Sequence, residues 1–270
     1  MFLAIARFLV TVALALTALI LHELAHVFAV KYLGGKVEKV GFFPLGIAAR
    51  FTGLERLRAW ERYVIYGAGA IANIIAAAWT LTVSRLSYFG VSWLEEFALY
   101  SIALAVFNLV PALPLDGGRI LHQFISNRKG ILIANRFMIK LSTKMSIALF
   151  MLGIVQLILY GFNISLLCAA LYIRHKNKEL PPILHMDFFK FLQAKNDPAR
   201  GRIMPVRHVT IHAGTSIKQA METLTIDHHT VFTFQEKKEY SSITEKALLA
   251  HVYHFGLRDN VAALLPGDGP

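Results

Sequence analysis

The sequence predicts a polytopic α-helical membrane protein with about five hydrophobic segments, followed by a small C-terminal α/β domain. Hydrophobic residues make up 56% of the 270 residues, above the roughly 45–50% usual for soluble domains. The long apolar runs lie in residues 1–175, and the remainder is polar and charged. We therefore divide the chain into a membrane domain at residues 1–180, a linker at 181–202 and a soluble domain at 203–270.

Glycine, proline and charged residues separate the hydrophobic segments from one another. In chain order the segments cover residues 2–33, 63–83, 97–110, 145–160 and 164–173. Between the first two, glycine and proline break any helix and leave short extended pieces, of which residues 47–51 are the strand candidate. In the tail, strand candidates alternate with helix candidates, which predicts the small α/β domain.

The basic residues indicate how the chain is oriented. The formal net charge is +11, and Lys and Arg are concentrated in residues 31–62, 119–144 and 174–207. These stretches share one side of a membrane if the five segments cross it in alternation, and basic flanks stay on the cytoplasmic side. Because no RNA- or DNA-binding motif accompanies them, we interpret them as suited to anionic lipid headgroups and predict no nucleic-acid partner.

The end of the first hydrophobic segment carries an HExxH motif, His22–Glu23–Leu24–Ala25–His26. The i, i+4 spacing puts both imidazoles on one helical face, where they can share a zinc ion, and Glu23 projects about 100° away, where it can take a proton from water. The only cysteine is Cys168, so a cysteine-based site is excluded. The alternative is a helix end with two interfacial histidines and a glutamate reaching for water.

Two histidines leave a catalytic zinc site one protein ligand short, and Asp116 is the candidate for the third. It follows a hydrophobic segment that Pro111 and Pro114 end, and Gly117 with Gly118 keeps the backbone irregular around it. Such a broken segment can aim a carboxylate inward. Without the histidine motif, an Asp–Gly–Gly turn would be ordinary loop chemistry.

Two asparagines lie inside hydrophobic segments and need polar partners there. We predict that Asn73 donates to a substrate carbonyl or to the developing oxyanion, and that Asn108 fixes the turn carrying Asp116. For both residues the alternative is an amide hydrogen bond between helices. The remaining histidines, among them His122, match no zinc spacing, and we interpret them as solvated surface residues.

Three motifs, HELAH at 22–26, GAGAIAN at 67–73 and NLVPALPLDGG at 108–118, resemble the site-2 protease family of intramembrane zinc metalloproteases. The resemblance implies Zn²⁺ held by His22, His26 and Asp116, with Glu23 activating water. Asn73 matches the asparagine of the family's AGPxxN motif, whose proline is Ala70 here.

Within that family the layout resembles the sporulation branch, which processes pro-sigma-K and ends in a cystathionine-β-synthase (CBS) domain. The branch has a hydrophobic span before its HExxH helix, whereas only 21 residues precede His22. The sequence thus predicts either a chain that begins outside the membrane or a missing upstream segment. The resemblance also implies a bacterial cell membrane and a CBS-like regulatory domain at 203–270, with ATP as its possible ligand.

These observations predict an enzyme that hydrolyses a peptide bond in a membrane-associated substrate, and the resemblance implies a pro-sigma factor as that substrate. Further expected partners are an inhibitory membrane protein and a second copy of the chain. The strand candidate would bind the substrate backbone along its unpaired edge, through Ile47, Ala48, Ala49, Arg50 and Phe51. The alternative is a membrane zinc transporter or metal sensor, which would have no need of Glu23 as a base.

Overall fold

The computed structural model describes residues 2–43, 46–87, 92–161, 164–195, 204–212, 214–236, 239–255 and 259–264. The chain forms two compact units. The membrane unit comprises Met1–Leu121 and Leu141–Asn177, and the C-terminal unit comprises His122–Lys140 and Lys178–Pro270.

The first part of the membrane unit is a group of three helices: α1 (Phe2–Tyr32), α2 (Ala59–Leu86) and α3 (Ser92–Asn108). Helices α1 and α2 pack against each other, and α3 contacts both. Small residues of α2, such as Ala70 and Ala77, are buried in these contacts, as expected where helix backbones approach closely. Large apolar side chains face outward instead, among them Trp79, which is 67% exposed.

Three helices in the described part of the chain are long and apolar enough to cross a membrane: Ile5–Tyr32, Ala59–Leu86 and Ile131–Leu159. They contain the first, second and fourth predicted segments. The third predicted segment lies mainly in the 17-residue α3, and the fifth in the first turns of α6 (Ser165–Lys195). The helical membrane character is therefore confirmed, while the number of five crossings stays a prediction.

A β-hairpin lies between α1 and α2. Strand β1 (Lys36–Phe43) pairs antiparallel with β2 (Gly46–Thr52), with a register shift between Val37 and Lys39. The predicted strand at residues 47–51 lies within β2. Among the described strands β2 has no second neighbour, so one of its edges remains available for pairing.

After α3 the chain turns into α4 (Asp116–Lys129) and then α5 (Ile131–Tyr160). Gly130, with a φ of 102°, separates the two helices, a backbone angle that glycine adopts without strain. The basic stretch at 119–144 is thus divided between α4 and the beginning of α5, and α5 continues into the fourth hydrophobic segment.

Helix α6 continues through Pro181 and Pro182, the place where the sequence predicts a domain boundary and the start of a linker. Proline removes one helical hydrogen bond and bends a helix, but it does not oblige the helix to stop. Four buried apolar side chains at i, i+4 spacing follow one face across this point: Leu180, Leu184, Phe188 and Leu192. Their burial keeps the helix intact up to Lys195.

The C-terminal unit contains β3 (Val206–Thr210), α7 (Ile217–Glu222), β4 (His229–Glu236), β5 (Glu239–Thr244) and α8 (Glu245–Phe255). Strand β4 lies in the middle of the sheet, parallel to β3 and antiparallel to β5. Ser216 caps α7 by accepting a hydrogen bond from the Gln219 amide, as its position predicts. The small α/β unit is present, and its likeness to a CBS domain stays a prediction.

The core of the C-terminal unit also draws on residues far upstream of 203. Ile131 of α5 and Phe188 and Leu192 of α6 pack in one cluster with Phe232 and Leu248. A fragment limited to residues 203–270 would lack these three upstream side chains.

A buried ion pair joins the end of α6 to α8 in the same unit. The Lys195 amine lies 2.6 Å from the Glu245 carboxylate and also donates to the Thr225 carbonyl at 2.9 Å. Burial lowers the pKa of Lys195 from its ordinary value, and the nearby Glu245 opposes that change. Glu245 accepts a further bond from the Thr230 amide at 3.1 Å, so this pair ties helix, loop and strand together.

Candidate metal centre

The structure brings His22, His26 and Asp116 together in the membrane unit, and all three are buried. Both histidines lie on α1, while Asp116 begins α4. The Asp116 Oδ2 atom lies 3.2 Å from His22 Nε2 and 3.0 Å from His26 Nε2, and the two Nε2 atoms are 3.3 Å apart. Three potential metal-binding atoms thus form a small triangle.

This triangle has the dimensions of three corners of a zinc tetrahedron. Ligand atoms about 2.0–2.1 Å from a tetrahedral zinc ion lie about 3.3 Å from one another, close to the three measured separations. Two imidazoles and one carboxylate also leave a fourth position for water or substrate, the arrangement of a catalytic site rather than a structural one.

The hydrogen bond on the other side of His26 indicates that a cation belongs in the triangle. His26 Nδ1 donates to the Ile65 carbonyl oxygen at 2.7 Å, so in a neutral ring the Nε2 atom carries a lone pair. That lone pair faces the Asp116 carboxylate, an arrangement that is repulsive unless a proton or a metal ion lies between them. The residues present therefore fit zinc.

Asn73 is completely buried, and its side chain contacts the ring of His22. Its Nδ2 atom is 3.5 Å from His22 Nδ1, the ring nitrogen directed away from Asp116. The Asn73 Oδ1 atom has no hydrogen-bond partner among the described residues. The structure thus brings Asn73 to the centre, but beside a metal ligand.

Gly69 is a site residue that sequence reasoning missed. A Cβ atom at this position would lie 2.5 Å from His26 Nε2 and 2.6 Å from His22 Nε2, distances that no real side chain tolerates. The available signal was the GAGAIAN motif, from which the sequence analysis singled out Asn73 rather than the glycines. In the folded chain, Gly69 makes room for the two metal-binding nitrogens.

The turn that carries Asp116 is fixed by its backbone. The amide of Leu113 donates to Ser142 Oγ at 2.8 Å, a contact that the sequence did not indicate. A Cβ at Gly117 would overlap the Leu109 carbonyl group, so glycine is required there. Asn108 donates to the Leu104 carbonyl at 3.0 Å, within its own helix.

The two prolines of this turn lie where α3 has ended. Pro111 is exposed and Pro114 is partly buried, in the segment between α3 and α4. Their place agrees with the expectation that they stop the helix ahead of Asp116.

Glu23 follows His22 on α1 and is partly buried. Its place next to His22 and three residues before His26 puts it on the helical turn that carries both candidate ligands. This is the position expected for a group that exchanges protons with water at the site.

The residues predicted to bind substrate lie in β2, of which the side chain of Phe51 is described. Phe51 packs against a cluster of Val30, Leu57 and Ile65. Ile65 is also the residue whose carbonyl holds His26. The end of β2 and His26 therefore both contact the part of the structure that contains Ile65. The roles of Ile47, Ala48, Ala49 and Arg50 stay predictions.

His122 is not the solvated surface residue that the sequence predicts. Its Nε2 atom lies 2.6 Å from Asn135 Oδ1 in the C-terminal unit, and burial lowers its pKa. It forms no part of the metal centre.

The sequence and fold of this chain are similar to those of known metalloproteases. Residues 85–153, which include Asp116, match the profile described as Peptidase family M50. The site-2 protease structure from Methanocaldococcus jannaschii matches 63% of this chain and 76% of its own, with 26% identity and a TM-score of 0.52. The resemblance to the site-2 protease family is confirmed.

Curated relatives of this site-2 protease-like chain carry names that agree with the metal centre. A zinc metalloprotease of Methanocaldococcus jannaschii is 26% identical over 187 residues, 68% of this chain and 53% of that protein. Stage IV sporulation protein FB of Bacillus subtilis is 26% identical over 129 residues, 47% of this chain and 44% of that protein. The chain thus spans about half the length of these relatives.

Proposed function

We propose that the chain is an intramembrane zinc metalloprotease that hydrolyses a peptide bond in a membrane-associated protein. The triangle of His22 Nε2, His26 Nε2 and Asp116 Oδ2 carries this proposal, because its 3.0–3.3 Å edges fit zinc. It lies at the end of a helix long and apolar enough to span a membrane. A buried set of ionisable groups there is costly without a function.

In the proposed reaction, His22, His26 and Asp116 hold the metal, and Glu23 moves the proton. When bound, zinc would supply a Lewis acid that polarises the scissile carbonyl and makes a water molecule more acidic. Glu23 takes a proton from the attacking water and later delivers it to the leaving amine. Its place next to His22 on α1 keeps it close to the metal without using it as a ligand.

The free edge of β2 is proposed to hold the substrate. A peptide bond in a helix is protected by its own hydrogen bonds, so a protease must bind its substrate in an extended form. Strand addition to β2 would do this through main-chain bonds, with little dependence on the substrate sequence. Phe51 packs against the cluster that contains Ile65, and this supports the proposed place because the Ile65 carbonyl contacts His26.

We also propose a substrate, a membrane orientation and partners for this enzyme. The similarity to a sporulation protein supports a pro-sigma-like substrate in a bacterial cell membrane. The basic stretches support loops and a C-terminal unit on the cytoplasmic side. An inhibitory membrane protein, a second copy of the chain and ATP at the C-terminal unit are further proposed partners.

The test is cleavage of a tagged, membrane-tethered pro-sigma-like substrate co-expressed with the chain, with zinc measured in each purified protein. Glu23→Gln keeps the size of the side chain and removes the base, so cleavage should be lost while zinc is retained. Glu95→Gln, the same change on α3, should cleave normally.

The outcomes separate the enzyme from a zinc transporter or sensor. Equal cleavage by wild type and Glu23→Gln would overturn the proposed base. Zinc binding without cleavage of this substrate, or of a panel of other single-span substrates, would favour the transporter or sensor.

A further inference from the structure

The buried Asn73 side chain has an amide oxygen whose hydrogen bonding a catalytic role does not explain. The side chain is fully buried, its Nδ2 atom lies 3.5 Å from His22 Nδ1, and its Oδ1 atom has no partner among the described residues. A buried amide oxygen without a hydrogen bond is costly. The arrangement therefore needs a state in which that oxygen is used.

Metal binding defines such a state. A histidine that binds zinc through Nε2 carries its proton on Nδ1, and that proton needs an acceptor. For His26 the acceptor is the Ile65 carbonyl. For His22 the nearest polar group at Nδ1 is the Asn73 amide, whose nitrogen end faces the ring. A half turn of the amide exchanges its nitrogen and oxygen ends, which are nearly equal in size.

We infer that Asn73 is a positioning residue that holds His22 in its zinc-binding tautomer. Without metal, the Nε2-protonated tautomer of His22 would donate to Asp116 and accept from the Asn73 amide at Nδ1, which fits the 3.2 Å and 3.5 Å separations. With metal, the proton resides on Nδ1 and the turned amide accepts it through Oδ1. An amide serves both tautomers, whereas a carboxylate would serve only the second. This inference rests on the proposed zinc site.

The position of the amide argues against the role in oxyanion binding that the sequence suggested. Nδ1 and Nε2 point in different directions from the imidazole ring, and it is Nε2 that faces Asp116 and His26. The Asn73 amide is therefore separated from the reacting atoms by the ring of His22. The side chain acts on the reaction through that ring.

The experiment measures the zinc affinity of the full-length protein in detergent by competition with a chromophoric chelator. Asn73→Leu removes both polar ends and should weaken binding about 10–100-fold, the usual effect of losing such a partner. Asn73→Asp supplies a permanent acceptor and should bind zinc at least as tightly as the wild type. Thr80→Val is the control, because Thr80 is also buried on α2 and, among the described residues, its side chain donates to carbonyls of its own helix.

Each result decides a separate point. Wild-type affinity in Asn73→Leu, or an equal loss in Asn73→Asp and Asn73→Leu, would overturn the positioning role. Cleavage measured in parallel then identifies the alternative, since an oxyanion role predicts normal zinc affinity with slow turnover in both variants. If the wild type itself binds no zinc, this inference and the proposed function fail together.

Discussion

The Nδ1 atom of His26 donates to the carbonyl oxygen of Ile65 at 2.7 Å, which connects a metal ligand of α1 to the backbone of α2. Asn73 lies on the same helix, eight residues later, and approaches the other ligand. Residues at this spacing share one face of a helix. Helix α2 therefore supports both histidines, and the three-helix packing is part of the metal centre.

The folded chain brings the three candidate ligands together, whereas the unfolded chain does not. Zinc should therefore bind the folded state preferentially and stabilise the membrane unit. We expect zinc at about 1,000 times its dissociation constant to add about 4 kcal/mol to the free energy of unfolding. Thermal unfolding in detergent with zinc, and then with a chelator, measures the difference. An Asp116→Asn variant, in which a candidate ligand loses its charge, should be stabilised much less by zinc. Equal shifts in both proteins would place the zinc elsewhere.

Gly69 should tolerate no side chain. The Cβ atom of Gly69→Ala would overlap both imidazoles, so we expect zinc affinity to fall at least about 10-fold, comparable to losing a supporting partner of a ligand. Gly67→Ala is the matched control on the same helix, because its Cβ would make an ordinary 3.5 Å contact with Ile71. Chelator competition on both variants measures the effect, and tight zinc binding by Gly69→Ala would contradict the geometry.

Sequence reasoning identified the three candidate metal ligands because their signal is local. An i, i+4 pair of histidines is visible in any helix, and Asp116 stood beside prolines and glycines that had to break one. Gly69 and Ser142 gave no such signal, since their roles come from approaches between distant parts of the chain. Asn73 was found from its polarity, but the group that it faces could only be seen in the folded chain.

The sequence predicts that a linker starts at Pro181 and Pro182, whereas α6 runs through both residues, for a related reason. Proline has a strong local preference, but the buried face of α6 outweighs it through contacts with α7 and the sheet. Tertiary packing overrides propensity in such cases.

Proline substitution in β2 tests the proposed substrate edge. Neighbouring residues in a strand direct their amides to opposite edges, so of Ala48 and Ala49 one faces β1 and the other the free edge. We expect both Ala48→Pro and Ala49→Pro to retain zinc and to slow cleavage at least several-fold. The variant at the free edge should keep the hairpin amides protected from hydrogen exchange. Normal cleavage by both variants would rule out strand addition.

The Lys195–Glu245 pair should be far more important for stability than the Arg136–Glu222 pair. Lys195→Met leaves a buried carboxylate unpaired, so we expect a loss of about 3–5 kcal/mol in the C-terminal unit. Arg136→Met should cost about 0–1 kcal/mol, because that side chain is 54% exposed. Hydrogen exchange of β4 amides in full-length protein compares the two, and equal losses would contradict this ranking.

The Arg136–Glu222 pair should depend on pH in one direction. The bond from Arg136 lowers the pKa of Glu222 below its ordinary value of 4.5. The unfolded chain therefore binds the proton first, and the stabilisation is present above about pH 4.5 and disappears as the pH falls through the lower pKa of the folded state. Glu222→Gln should accordingly be less stable than the wild type at pH 7, and the difference should vanish in acid. A difference that does not shrink as the pH falls below 4.5 would exclude the ion pair as its cause.

The core of the C-terminal unit has a consequence for how such proteins can evolve. Ile131, Phe188 and Leu192 belong to that core, although they are encoded well ahead of the last strands. A recombination event that exchanges only the final segment between two relatives would separate these side chains from the partners selected with them. The terminal unit should therefore be inherited together with the helices that precede it. Among related proteins, substitutions in the core of the last segment should be correlated with substitutions at these three upstream positions.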